Sequence, residues 1–448
     1  MGITTDLASY VSHTNFSDLP NNATQQAKLC ILDWLGSALA GSLEPPAKII
    51  KELTKETGGR KESTIIGTRT KSSCLNAALA NGIMGHTIEL DDLHVDSIIH
   101  PAAPVVPASL ATAESNHGSG KELITSVILG YEVEIRLALA LAHSHYDHWH
   151  PTGTCGTFGA AVAAGKILKL NEKKMTHAFG IAGTEASGLI DVFGTMSKPL
   201  NAGRAAQSGV IAALLAKKGF TSSIQIFESN TGYCYAASSE PKLNSITEEL
   251  GKRYEILNDS FKCHASCGHT HPALDAALIL SKGHRINPDN VERVVVETYP
   301  IAVELVGSNY EPKTSSEGKF SLPYCMAIAF IYGKVGLTEF SSGKLRNPKV
   351  LELAKKVKVD IGRGFTSTKL WWATVKLRKS DGTELSCTVD VPRGHPRNPL
   401  SKPELEDKFR DLASIALPSQ NVSRIISAVN NLESLKRVES LTALLQTG

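Results

Sequence analysis

The residues best suited to acid–base chemistry lie in one short stretch near position 90. It contains Glu89, Asp91, Asp92, His94 and His100, three carboxylates and two imidazoles within twelve residues. Imidazole titrates near neutral pH, and a neighbouring carboxylate can orient it or share its proton. A solvated loop that caps the next helix would have a similar composition, because Asp and His are common in turns. We favour a catalytic cleft, since apolar segments flank the stretch and its polar groups need partners.

Two later segments add an imidazole and two cations. His150 ends a histidine-rich turn, and Lys198 and Arg204 lie on an otherwise small and neutral segment. The sequence predicts that Lys198-Pro199 ends one element and that a helix starts at Gly203. A helix N-terminus beside a lysine and an arginine is suited to binding a carboxylate. A basic surface turn explains the same composition almost equally well.

The segment 262–272, KCHASCGHTHP, resembles a zinc site at first sight. Its spacing, C-x-x-x-C followed by H-x-H, is not one of the usual structural zinc patterns, and no second cysteine pair accompanies it. We therefore predict no metal here. An anion-binding wall that contains Lys262 and His271 fits the segment better.

Several functional classes are disfavoured by what the chain lacks. It has no G-x-G-x-x-G or Walker loop for nucleotides and no G-x-S-x-G elbow for a serine hydrolase. Lys plus Arg (47) nearly balance Asp plus Glu (44), which argues against nucleic acid or a membrane surface as a partner. The polar start, MGITTDLASYVSHTNF, and eight scattered cysteines predict a cytoplasmic protein with reduced thiols.

The elements that must position these residues change character along the chain. Apolar residues at helical spacing predict helices in the first half and again after Pro403, whereas alternating β-branched residues predict strands between them. Asp381-Gly382 predicts a hairpin turn. The predicted helices cover 22–40, 102–114, 121–142, 158–170, 204–217, 405–417 and 422–435, and the predicted strands cover 291–300, 357–363 and the two halves of 369–392.

This order predicts a mostly α protein with an α+β second domain. The large all-α helical domain is built from both chain ends, residues 1–265 with 402–448, and residues 266–401 form a smaller α+β lid domain. The cleft between the two domains is the expected site.

Five strings in this chain resemble successive landmarks of the MmgE/PrpD family. They are IELDDLHVDSIIHPAAPVVPA (88–108), WHPTGTCGTFGAA (149–161), GTMSKPLNAGRAAQSG (194–209), SCGHTHPALDAA (266–277) and KFSLPYC (319–325). The resemblance implies the same large helical domain and α+β lid, a homodimer, and action on di- or tricarboxylates without a metal or organic cofactor. The family includes 2-methylcitrate dehydratase, cis-aconitate decarboxylase and an iminodisuccinate epimerase.

The decarboxylase branch of that family matches this chain residue by residue at most of its functional positions. The matching positions here are Glu89, Leu93, His100, His150, Lys198, Lys262 and Cys267. Two of them depart from the branch: Leu93 replaces a hydroxyl residue, and Cys267 replaces a position that can be histidine. These departures favour a dehydratase-like reaction over decarboxylation.

We therefore expect a cofactor-free lyase for a small polycarboxylate. Dehydration is the first choice, decarboxylation the second and epimerisation the third, and a non-catalytic carboxylate-binding protein is the alternative of another class. The predicted catalytic residues are His100, His150, Asp91 and Asp92. The predicted substrate-binding residues are Lys198, Lys262, Arg204, His94, His271 and Glu89, and no metal ligand is predicted.

Overall fold

The computed structural model describes residues 2–284, 286–362 and 371–446. Its first part is helical apart from one short β-ribbon, β1 (Ser63–Thr64) with β2 (Lys71–Ser72). The helices are α1 (Ile3–His13), α2 (Asn21–Gly41), α3 (Pro45–Thr57), α4 (Cys74–His86), α5 (Ala102–Ser115), α6 (Gly120–Tyr146), α7 (Pro151–Ile167), α8 (Glu172–Glu185), α9 (Ser197–Lys217) and α10 (Tyr233–Ala237). The helices predicted in this half are confirmed. Within the described residues, no helix is both long and apolar enough to cross a membrane.

The predicted start of α9 is wrong. The helix begins at Ser197, six residues before Gly203, so Lys198 lies in its first turn. Pro199 was predicted to end a secondary-structure element here. It is tolerated because the first backbone N–H groups of a helix have no intrahelical partner, and proline lacks only that donor.

A mixed sheet and short helices form the next part of the chain. The strands are β3 (Val291–Thr298), β4 (Val357–Ile361), β5 (Ala373–Lys379) and β6 (Glu384–Val389). The helices are α11 (His271–His284), α12 (Pro300–Val306), α13 (Ser315–Lys319), α14 (Leu322–Tyr332), α15 (Ser342–Leu345) and α16 (Pro348–Lys355). The four predicted strands are confirmed, and residues 363, 369 and 370 of the predicted strands lie outside the described residues.

The sheet has the order β4-β3-β5-β6, with β3 parallel to β4 and the other neighbours antiparallel. Val294 pairs with Leu377 of β5 and with Val357 of β4. The register shifts between Val291 and Arg293, so that both Val291 and Val294 face the interior. The covered face of the sheet packs against α11 and α14.

The chain end returns to the first helices. It forms α17 (Lys402–Ala413), α18 (Ser419–Asn430) and α19 (Glu439–Thr442). Phe409 of α17 packs beside Gly36 of α2, and Lys408 is 2.7 Å from Asp33. One apolar core therefore joins both ends of the chain, and a second core lies between the sheet and its helices. The predicted fold class is confirmed, while the exact domain boundaries stay a prediction.

Close helix packing behind the site depends on glycine. A Cβ at Gly209 of α9 would lie 2.5 Å from both Ala160 Cβ and Ala161 N of α7, closer than real Cβ contacts. We expect Gly209→Ala to lower the free energy of unfolding by about 1–3 kcal/mol, the usual effect of overpacking. The matched control is Gly283→Ala in α11, where a Cβ meets nothing within 4 Å. Chemical denaturation of both variants measures the effect, and equal stabilities would contradict this account of the α7–α9 contact.

Candidate active site

A small, nearly closed pocket lies where the helical part meets the sheet-containing part. It occupies about 340 Å³ between its lining atoms, and the side chains leave little more room than one water molecule needs. The lining includes Glu89, His100, His150, Lys198 and Cys267. With Trp371 also in its lining, the pocket brings together residues that lie up to 282 positions apart in the sequence.

Two lysines bind one buried carboxylate at this pocket. The ammonium of Lys198 contacts Oε1 of Glu89, and Nζ of Lys262 lies 3.2 Å from Oε2. Burial opposes ionisation of Glu89, but the two ammonium groups outweigh it and hold the pKa of its carboxyl well below the usual range. Lys198 also lies between the rings of Phe193 and Phe320, 5.3 and 5.2 Å from their centroids. The three charged groups carry a net charge of +1, which favours an anionic ligand.

Backbone pairing brings these groups together. Glu89 follows α4 with a φ of +59°, unusual for a residue with a side chain. Four residues later, Leu93 and Ser260 exchange backbone hydrogen bonds of 2.8 and 3.0 Å. This bridge places the segment that carries Lys262 beside the loop that carries Glu89.

Three imidazoles lie close together beside the charged group. The ring centroid of His86 lies 4.8 Å from that of His100 and 5.6 Å from that of His150. His86, the last residue of α4, donates from Nδ1 to Oδ2 of Asp91 at 2.6 Å. Its other nitrogen, Nε2, has no hydrogen-bond partner among the described residues. A histidine oriented by a buried carboxylate, with a bare second nitrogen, has the arrangement of a general base.

His100 and His150 carry their protons on different nitrogens in the neutral state. His100 donates from Nδ1 to the backbone carbonyl of Asp92 at 2.6 Å, which leaves Nε2 as an acceptor. The amide of Asn201 donates to Nδ1 of His150 at 3.3 Å, so the proton of His150 lies on Nε2. This assignment follows from the hydrogen-bond network. The two rings are therefore suited to opposite roles, one accepting and the other donating.

An apolar wall faces the charged group. It contains Leu93, Ile98 and Trp371, which line the same pocket. The ring of Trp371 stacks on His269 at 4.7 Å, and Nδ1 of His269 lies 2.7 Å from the Tyr299 hydroxyl. A ligand in the pocket would therefore contact both the Lys198 ammonium and hydrocarbon side chains.

Four of the predicted site residues point away from this pocket. Asp92 caps α5 through Ala102 N and accepts from Tyr131, and burial raises its pKa together with that of Asp259. His94 bonds to Ser97.

The other two are structural or exposed. His271 contacts the Ser266 carbonyl at 3.4 Å. Arg204 is largely exposed and pairs with Glu185 on the surface, because α9 begins earlier than expected and turns this position outward. We therefore assign no role to these four side chains in the pocket, although the Asp92 carbonyl orients His100.

Sequence reasoning missed His86 and Trp371 of the apolar wall. His86 ends an apolar helix only three residues before Glu89, and a polar residue at that position was the available signal. No local pattern marked Trp371, since its contact with residue 268 comes from tertiary packing.

Comparisons with known proteins identify the family of the chain. The MmgE/PrpD N-terminal domain matches residues 5–246, and the MmgE/PrpD C-terminal domain matches residues 264–434. The protein belongs to the MmgE/PrpD family. Several members of this family are similar to the chain over nearly its whole length.

Cis-aconitate decarboxylase of Homo sapiens is 29% identical over 99% of this chain and 94% of its own length. A cis-aconitate decarboxylase-like protein of Aspergillus oryzae is 28% identical over 99% and 97%. A probable 2-methylcitrate dehydratase of Saccharomyces cerevisiae is 22% identical over 90% and 84%. The chain is thus an enzyme, a lyase of the MmgE/PrpD type.

Burial and the nearby cations predict that His100 and His150 stay neutral in mildly acidic solution. Burial lowers the pKa of His100 well below its usual value, and Lys262 lowers it further, while Asp91 opposes the shift. Burial and then Lys198 do the same to His150. We expect nitrogen NMR of histidine-labelled protein to show both rings neutral at about pH 6, below the ordinary pKa of about 6.5.

Lys262→Met should raise the pKa of His100, because a cation that disfavours the imidazolium is removed. The matched control is Lys252→Met, at an exposed position ten residues earlier. A His100 ring that titrates at its ordinary pKa in the unmodified protein would contradict the assignment.

Proposed function

We propose that this lyase removes carbon dioxide from a small unsaturated tricarboxylate of the cis-aconitate type, without a metal or organic cofactor. The observation that carries the proposal is the pair of buried lysines, Lys198 and Lys262, that hold Glu89 at a pocket also lined by Leu93, Ile98 and Trp371. The two sides of the pocket match the two demands of this reaction.

The first demand is stabilisation of the electron pair that carbon dioxide leaves behind. When the bond between the methylene carbon and its carboxylate breaks, the pair shifts through the double bond towards the far carboxylate, which becomes an enediolate. Lys198 and Lys262 are positioned to bind that carboxylate as its negative charge grows. One proton then adds to the adjacent carbon, and the product is a dicarboxylate with a terminal methylene group.

The second demand is an environment that disfavours the carboxylate that leaves. A carboxylate against Leu93 and Trp371 loses its hydration, whereas the neutral carbon dioxide that it becomes does not need any. The departing group therefore belongs on the apolar side. The retained carboxylates belong on the lysine side.

The proton has a nearby source in the imidazoles. A bound trianion raises the pKa of His100 and His150, since a neighbouring negative charge favours the imidazolium. His150 already carries a proton on Nε2 in its neutral form, which makes it the preferred donor. The His150 imidazolium gives its Nε2 proton to carbon and becomes neutral, and the same nitrogen takes up a replacement proton from water after the product leaves.

The relatives support this order of preference. The chain matches cis-aconitate decarboxylases at 27–29% identity over 99% of its length, but the dehydratase at 22% over 90%. The sequence departures at Leu93 and Cys267 favoured dehydration. In the pocket, however, Leu93 belongs to the apolar wall that carbon dioxide loss requires, so we rank decarboxylation first.

Dehydration of a 2-methylcitrate-like acid is the second candidate, and the His86–Asp91 pair favours it. Dehydration needs a base that removes a proton from carbon, whereas decarboxylation needs only a proton donor. The bare Nε2 of His86 could serve as that base.

Neither scheme has a step that uses a metal. His86, Asp91 and His100 lie close enough together to hold an ion. Nδ1 of each ring is engaged by the protein, to Asp91 and to the Asp92 carbonyl. An ion at this site would have to take one of these positions or use Nε2.

The test incubates protein that has been exhaustively treated with chelator, and checked for metals, with cis-aconitate or 2-methylcitrate in deuterated water. We expect cis-aconitate to lose carbon dioxide and to gain one deuterium next to a carboxylate, as followed by proton NMR. Lys198→Met should lower kcat/KM by about 10- to 100-fold, which is the usual effect of losing a charge-assisted contact. Its Tm should change little. Lys217→Met, at the exposed end of the same helix, is the control.

The outcomes separate the candidates. Water loss from 2-methylcitrate without conversion of cis-aconitate would replace the first proposal by the second. Activity that returns only with stoichiometric zinc or iron would contradict the metal-free scheme. Full turnover in Lys198→Met would remove this lysine from the site.

A further inference from the structure

Lys319, the last residue of α13, is a buried lysine that the catalytic scheme does not use. Its residue surface is only 4% exposed. Within the described parts of the chain, its ammonium makes no hydrogen bond and no ion pair, although Glu44 and Glu89 influence it at longer range. By contrast, Lys198 and Lys262 both pair with Glu89, and the buried Lys28 pairs with Glu433.

The Lys319 side chain lines a second cavity next to the catalytic pocket. This cavity occupies about 300 Å³ between its lining atoms. It shares Glu89, Lys198 and Phe320 with the catalytic pocket, so the ion pair between Glu89 and Lys198 lies between the two spaces. Rotation of the Glu89 side chain away from Lys198 would make them continuous.

A buried cation without a bonded anion is costly, and the free energy is recovered when an anion arrives. Burial lowers the pKa of Lys319, Glu44 and Glu89 oppose this shift, and the charges of Lys262 and Lys198 add to it. The cavity is also lined by Ser316, whose hydroxyl can donate to an anion, whereas the Thr195 hydroxyl already donates to the Val192 carbonyl. The unpaired ammonium and the Ser316 hydroxyl therefore suit a small anionic group, provided that Glu89, which lines the same cavity, moves to make room for it.

We propose that Lys319 binds a substrate carboxylate in a subsite separate from the one formed by Lys198 and Lys262. This inference rests on the proposed function and extends it to the number of carboxylates that the enzyme recognises. One substrate carboxylate displaces Glu89 from Lys198, and another reaches Lys319 through the space that Glu89 vacates. The enzyme then selects tricarboxylates over dicarboxylates of the same length.

The test compares two unreactive probes, tricarballylate and glutarate, which share a three-carbon chain but differ by the central carboxylate. Dissociation constants are measured by calorimetry for the unmodified protein, Lys319→Met and Lys334→Met. Lys334 is an exposed lysine of the same α+β region and serves as the matched control. We expect the unmodified protein and the control to prefer tricarballylate. Lys319→Met should bind tricarballylate about 10- to 100-fold more weakly and glutarate within about twofold of normal.

Three results would overturn the subsite. They are equal affinity of the unmodified protein for both probes, an unchanged preference in Lys319→Met, and equal weakening of both probes. Equal weakening would mean that Lys319 holds Glu89 in its displaced position instead of binding the ligand.

A labelling measurement covers the case in which Lys319→Met does not fold. The unmodified protein is treated briefly with a small amine-acetylating reagent, and the modified lysines are identified by mass spectrometry. Tricarballylate should slow the labelling of Lys319 and glutarate should not; equal effects of the two probes would overturn the proposal. Selective tricarballylate binding without turnover of cis-aconitate would contradict the proposed function while the subsite stands.

Discussion

The Glu89 carboxylate, held between two buried ammonium groups, is the interaction on which the rest of the site depends. It joins the loop after α4 to the first turn of α9 and to the segment at Lys262. A buried charge left without any partner usually costs about 3–5 kcal/mol, but Lys262 still compensates Glu89 when Lys198 alone is replaced. The same contacts offset the strained backbone of Glu89, whose φ of +59° is of a kind that costs about 1–3 kcal/mol. A substrate carboxylate that takes the place of Glu89 would meet a site already built for its charge.

The ammonium groups, together with burial, also determine the protonation state of His100 and His150. Burial and the lysine charges lower the pKa of His100 and His150, so both rings are neutral before an anion arrives. Their protons lie on opposite nitrogens because one ring is held by the Asp92 carbonyl and the other by Asn201. The anion that the lysines attract also raises the pKa of His100 and His150. Substrate binding therefore prepares these two rings to transfer a proton.

The sequence was informative wherever the signal was local. Helical spacing predicted α2 and α6, and Asp381-Gly382 predicted the turn between β5 and β6. Charged and imidazole side chains in otherwise apolar segments predicted that the polar run near residue 90 and Lys198 belong to the site. Glu89, His100 and Lys198 all line the pocket. The sequence did not reveal which way each side chain faces. Asp92 and Arg204 have suitable chemistry but face a helix N-terminus and the surface, whereas His86 and Lys319 reach the site only through tertiary packing.

The central claim is that Lys198 and Lys262 exchange Glu89 for a carboxylate of the substrate. A crystal structure of the protein with tricarballylate, which has neither the double bond nor the hydroxyl that the two candidate reactions need, tests it most directly. The account predicts a ligand carboxylate oxygen about 3 Å from Nζ of both lysines, with the Glu89 carboxylate moved off Lys198. A ligand bound elsewhere, with both contacts between Glu89 and the lysines intact, would contradict it.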